Sequence, residues 1–306
     1  MRAPVKLLAL LLAQALAAGP MAAPPPPAAP AHLMAWPDLL ERPRPAPDLT
    51  ISYGPDPLQV ADLWLPAGPG LHPTVLMVHG GCWQTAIAER TIMNWIAADL
   101  RTRGIAVWNV EYRGVDRPGG GYPGTFRDVA AAAEALRGQA RAHQLDLARL
   151  VAVGHSAGGH LALWLAARPR LPASSPLHDA HPLPIHAVVS LGGLPDLEAA
   201  AATDNGCGTE VVHRLVNGSG GPHGDPFADT SVPRLAPLHV PQMLINGRED
   251  RIIPLAYAEG YAAPMRAAGD DVRVRMIDRT GHIELVAPES AAWAAAVEEL
   301  ERALRQ

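Results

Sequence analysis

Short apolar, β-branched runs alternate along the chain with longer stretches whose apolar residues recur every three or four positions. The short runs predict eight strands, starting near Leu49 (LTISYG), Gln59 (QVADLWLP), Thr74 (TVLMVHGG), Ile105 (IAVWNVEY), Arg149 (RLVAVG), Ile185 (IHAVVSLGG), Pro241 (PQMLINGRED) and Val272 (VRVRMID). The first two alternate polar and apolar residues, as half-exposed antiparallel strands do. The later ones are almost continuously apolar, as buried parallel strands are. Helical spacing covers 87–103, 125–144, 157–167, 255–268 and 290–304. In the second of these, Phe126, Val129, Ala133 and Leu136 share a face. Strand–helix alternation of this kind predicts an α/β fold: a mostly parallel twisted sheet with helices on both faces. Residues 195–238 break the pattern. They are rich in Gly, Pro, Asp and His, hold no clear strand, and are expected to form a short lid-like insertion over the sheet.

The N-terminus does not belong to this pattern. Arg2 and Lys6 precede an apolar run from Leu7 to Ala18, followed by small residues. This is the layout of a secretory signal peptide, expected over 1–23, and the run is too short to span a membrane. A Pro-rich linker is expected over 24–47 and the folded domain over 48–306. The protein is therefore expected to be exported, periplasmic or secreted, with no stable membrane span in its mature form.

Composition narrows the function. The 306 residues carry 25 Lys and Arg against 30 Asp and Glu, a net charge of −5 with no basic cluster, so a nucleic-acid partner is not expected. No metal-ligating or phosphate-binding motif occurs, so neither metal nor cofactor is expected. The chain has two cysteines, Cys82 and Cys207. Export permits a disulfide between them, and two free buried thiols are the alternative.

The chemistry centres on Gly154-His155-Ser156-Ala157-Gly158. This G-x-S-x-G pentapeptide follows a predicted strand and opens a predicted helix, the context in which it lifts a serine clear of a sheet. A serine hydroxyl needs a base, and the base needs an acid to orient it. His282 follows the last predicted strand and Asp250 the one before it. Both therefore lie at the C-terminal ends of parallel strands, where α/β active sites gather. The order Ser156, Asp250, His282 is that of a nucleophile–acid–base triad on such a sheet, with Glu249 as the rival acid. His79-Gly80-Gly81-Cys82-Trp83 ends an earlier strand. Its glycines let backbone amides approach a substrate, so Gly81 and Cys82, with the amide of Ala157, are the expected oxyanion hole. Trp83 is expected to line the substrate pocket.

Together these segments resemble the α/β-hydrolase superfamily, and within it the esterase/lipase branch with an H-G-G-x-W oxyanion loop, the feruloyl-esterase-like and kynurenine-formamidase-like enzymes. "GHSAGGHLALWLA" is similar to their nucleophile segment, and "EYRG" (Glu111–Gly114) to a structural Tyr-Arg. "GREDRIIP" is similar to the segment carrying the acid, which favours Asp250 over Glu249. The resemblance covers about Asp48 to Leu304 and implies an α/β-hydrolase fold and a small ester substrate cleaved by a serine mechanism. An arylformamidase acting on an amide, and a catalytically inactive hydrolase fold serving as a binding module, are the alternatives. The acyl and alcohol specificity and the oligomeric state are left open.

Overall fold

The computed structural model describes residues 32–217 and 224–305. The expected signal peptide and the first part of the expected linker lie outside them. Among the described residues no helix is long and apolar enough to cross a membrane.

Eight strands form one sheet: β1 (Leu49–Ser52), β2 (Val60–Trp64), β3 (His72–Val78), β4 (Ala106–Val110), β5 (Leu145–His155), β6 (Ala187–Leu191), β7 (Gln242–Gly247) and β8 (Val272–Ile277). Their spatial order is β1-β2-β4-β3-β5-β6-β7-β8. β1 and β2 are antiparallel to their neighbours, and every pairing from β4 onward is parallel. All eight predicted strands are present. The helices α2 (Asn94–Thr102), α3 (Gly124–Gln139), α4 (Ala157–Ala167), α7 (Ala256–Ala267) and α8 (Ala291–Arg305) correspond to the five helical patterns. The first pattern starts later than its periodicity suggests, because 90–93 form a 3₁₀ turn before α2.

The sheet separates two cores. Leu76, Trp108, Ala152 and Val188 face α3, α4 and α7. Val75, Val107, Val153 and Ile245 point the other way, towards α2 and α8. Successive residues of one strand serve opposite cores, which explains why the central strands read as unbroken apolar runs.

One segment adds detail to the sequence reading and another departs from it. The insertion at 195–238 contains two helices, α5 (Leu197–Ala202) and α6 (Thr209–Val216). The linker expected over 24–47 is not a free tether where it is described. From Leu33 onward the chain belongs to the same compact unit as the sheet. A short helix, α1 (Trp36–Leu40), buries Leu39 completely in the core beneath α2 and α8. The carbonyls of Pro43 and Pro45 accept from Trp95 Nε1 and Asn94 Nδ2, and the Met34 amide donates to Glu284. Proline removes a donor but leaves its carbonyl, so this stretch docks as an acceptor strip.

Candidate active site

Ser156 sits between the end of β5 and the first turn of α4 with φ 55° and ψ −122°, a backbone region costly for a non-glycine residue. The surroundings hold it there. A Cβ at Gly154 would lie 2.0 Å from the Gly158 carbonyl oxygen, and one at Gly158 would lie 2.2 Å from that of Val78. Only glycine at both positions lets the turn close against the end of β3. Every residue of α4 is buried, so the helix behind the serine cannot shift. Ala157 is its first residue, so its amide has no partner within the helix and is free to donate outward.

The structure brings His282 and Asp250 together. Nδ1 of His282 lies 2.7 Å from Oδ2 of Asp250, and both side chains are buried. The other Asp250 oxygen accepts the amides of Ile252 and Ile253, which fixes the carboxylate. Glu249 is turned away and accepts the Thr280 amide instead. Ser156 and His282 line one cavity of about 350 Å³, together with Gly81 and Cys82.

The oxyanion-loop residues turn sharply: φ is 103° at Gly81, 52° at Cys82 and 53° at Trp83. The loop is braced from behind. His79 hydrogen-bonds the Gly80 carbonyl through Nδ1 (2.6 Å) and Glu111 through Nε2 (2.8 Å), and its ring stacks on Tyr112. The Tyr112 hydroxyl donates to the His79 carbonyl, and Arg113 forms a two-pronged pair with Asp128. Cys82 is joined to Cys207 by a disulfide, tying this loop to the 195–238 insertion.

Trp83 does not line the cavity. The third successive left-handed residue swings its indole inward, where it is fully buried and donates to Nδ1 of His160. It is a core residue that anchors the loop.

Sequence reasoning missed two contributors. His155 lies against the His282 ring at a centroid distance of 4.4 Å, and its Nε2–H donates to the His282 carbonyl at 3.1 Å. Burial, then the nearby His282, hold its pKa well below the usual histidine value, so the ring stays neutral. Trp36 and Leu40 of α1 form part of the cavity wall. The one signal for them was the apolar cluster W-x-x-L-L between proline-rich stretches.

The sequence model of the BD-FAE family matches residues 61–263. No curated protein matches the sequence. Solved structures share the fold at low identity. Esterase B from Lactobacillus rhamnosis superposes with a TM-score of 0.71 at 20% identity, over 86% of this chain and 87% of that one. A truncated carbohydrate esterase from gut microbiota gives 0.67 at 18%, over 84% and 95%. Thermogutta terrifontis esterase 2 phosphonylated by sarin gives 0.65 at 17%, over 86% and 95%.

Proposed function

The chain belongs to the BD-FAE family, and from that membership and the site geometry we propose that it is an exported serine hydrolase cleaving carboxylic esters through an acyl-enzyme. The observation that carries the reading is the 2.7 Å Asp250–His282 pair, whose His282 lines the same cavity as Ser156. Asp250 holds the imidazole with its proton on Nδ1, which leaves Nε2 as the base. Ser156 Oγ attacks the ester carbonyl as Nε2 takes its proton. Negative charge on the carbonyl oxygen meets the amides of Ala157 and the Gly81–Cys82 turn. The proton passes from His282 to the departing alcohol, and water, activated by the same base, then releases the acid. Asp250 stabilises the imidazolium. The Cys82–Cys207 disulfide supports export, since such bonds persist in oxidising compartments.

A fluorophosphonate probe tests the reading directly, a reagent suggested by a fold-mate that is phosphonylated by sarin. The probe is expected to label Ser156. Ser156→Ala is expected to abolish labelling and to lower kcat by about a million-fold on p-nitrophenyl esters. An unlabelled serine in the folded protein would leave the inactive binding-module reading in its place.

A further inference from the structure

The cavity at Ser156 has a wall built by the N-terminal arm. Its apolar lining includes Trp36 and Leu40 of α1, Ile87, Ala88 and Ile92 after the oxyanion loop, and Ile252, beside His155, Ser156 and His282. Among the described residues no Asp, Glu, Lys or Arg lines the cavity, and the only side-chain hydroxyl on it is that of Ser156. Of the four large apolar side chains most exposed on the described surface, two stand here: Leu40 at 39% and Ile87 at 60%. Exposed apolar side chains clustered at a cleft mark a surface that recognises apolar ligands.

The arm is seated on the catalytic machinery. The Met34 amide donates to Oε1 of Glu284, whose Oε2 accepts the Gly281 amide, the residue before His282. The Trp36 ring meets His155 edge-on at 6.4 Å. Arm, base loop and nucleophile turn are thus linked through two side chains.

Resting on the ester-hydrolase reading, we propose that Trp36 and Leu40 are specificity-determining residues, and that the arm selects esters bearing an uncharged aliphatic chain. Sugar hydroxyls would find no carboxylate or side-chain amide along this wall, and the ammonium and carboxylate of an amino-acid formamide would find no Asp, Glu, Lys or Arg to pair with. Burying such groups unpaired is unfavourable. An aliphatic chain gains instead, since each methylene withdrawn from water is worth about fourfold in affinity. The volume, at the lower end for ligand sites, suits a short chain.

The test is a kcat/KM series on p-nitrophenyl acetate, butyrate and hexanoate, repeated on alkyl acetates, with the full-length protein and the variants Trp36→Ala and Leu40→Ala. The parent is expected to favour butyrate over acetate by about 15-fold, the worth of two methylenes. Each variant is expected to lower that ratio at least about fourfold, with Trp36→Phe and Leu40→Met restoring most of it. Leu40 is half exposed at a helix end, so its truncation leaves the fold intact even where that of Trp36 does not. Loss of the chain-length ratio in either ester series supports the proposal. Equal losses on all chain lengths, or an unchanged ratio in Leu40→Ala, overturn it. If the parent hydrolyses no ester and Ser156 takes no probe, the ester-hydrolase reading fails. A labelled enzyme indifferent to chain length overturns the arm's role alone.

Discussion

Glu111 does not line the cavity, yet through His79 it braces the loop that does. Its buried carboxylate accepts from His79 Nε2 and from the amides of Arg90 and Tyr112, and Arg90 stands 3.7 Å away. Burial pushes its pKa up, but the His79 charge and these hydrogen bonds together outweigh burial and hold it below the ordinary glutamate value. The associated stability is present above the unfolded-state pKa near 4.5 and is lost as pH falls through the lower folded value. Glu111→Gln keeps the volume but turns an acceptor into an amide among donors. It is expected to cost about 3 kcal/mol in urea unfolding at pH 7. Because His79 braces the oxyanion loop, kcat should fall more than KM rises. Undiminished kcat would show that the loop does not depend on this brace. Individual side chains were unevenly legible from the sequence. That Ser156, Asp250 and His282 gather at one end of the sheet could be read because strand ends and chain order constrain them. The inward turn of Trp83 depends on three successive left-handed residues, which no hydropathy pattern encodes.

At the scale of elements, the Cys82–Cys207 bridge joins two segments 125 residues apart, the oxyanion turn and the insertion between β6 and β7. Constraining an unfolded loop of that length is worth about 5 kcal/mol in the chain-entropy picture. The double variant Cys82→Ala/Cys207→Ala is therefore expected to lose several kcal/mol of unfolding free energy. It should also lower kcat, because Cys82 lies within the turn proposed to present the oxyanion donors. Thermal unfolding with and without reductant checks the first expectation, and kinetics the second; a bridge that matters to neither would be a passive staple. The helices that bury one face were legible by their period, and the central strands and α4 by short apolar runs bounded by glycine and polar residues. The arm was not, because α1 spans only five residues, too few to show a helical period between prolines. Nor was the early start of β5, where Leu145 and Asp146 pair with His72 and Pro73 across an irregularity that interrupts the apolar run.

Across the whole molecule, His160 joins parts that the sequence keeps far apart. From within α4 it accepts the indole N–H of Trp83, donates from Nε2 to the Thr230 carbonyl in the insertion, and meets Phe126 of α3 edge-on. Both ring nitrogens are engaged only in the neutral form, and burial pushes its pKa down to about 4. The unfolded chain binds a proton at this residue below about pH 6.5, while the native state declines it until about pH 4. Unfolding therefore takes up protons as pH falls, and stability declines through that window. The loss from His160 amounts to about 3 kcal/mol at pH 4, a sizeable part of the 5–15 kcal/mol typical of a folded domain. His155, also buried and held neutral, adds a loss of the same sign. Urea midpoints should consequently fall between pH 7 and pH 4, and fall less in His160→Gln, which cannot titrate. That variant should begin less stable at pH 7, since it gives up the Trp83 and Thr230 contacts, yet show the flatter pH profile. Parallel profiles for parent and variant would mean that acid acts elsewhere, and that the tie between oxyanion loop, nucleophile helix and insertion does not run through this imidazole.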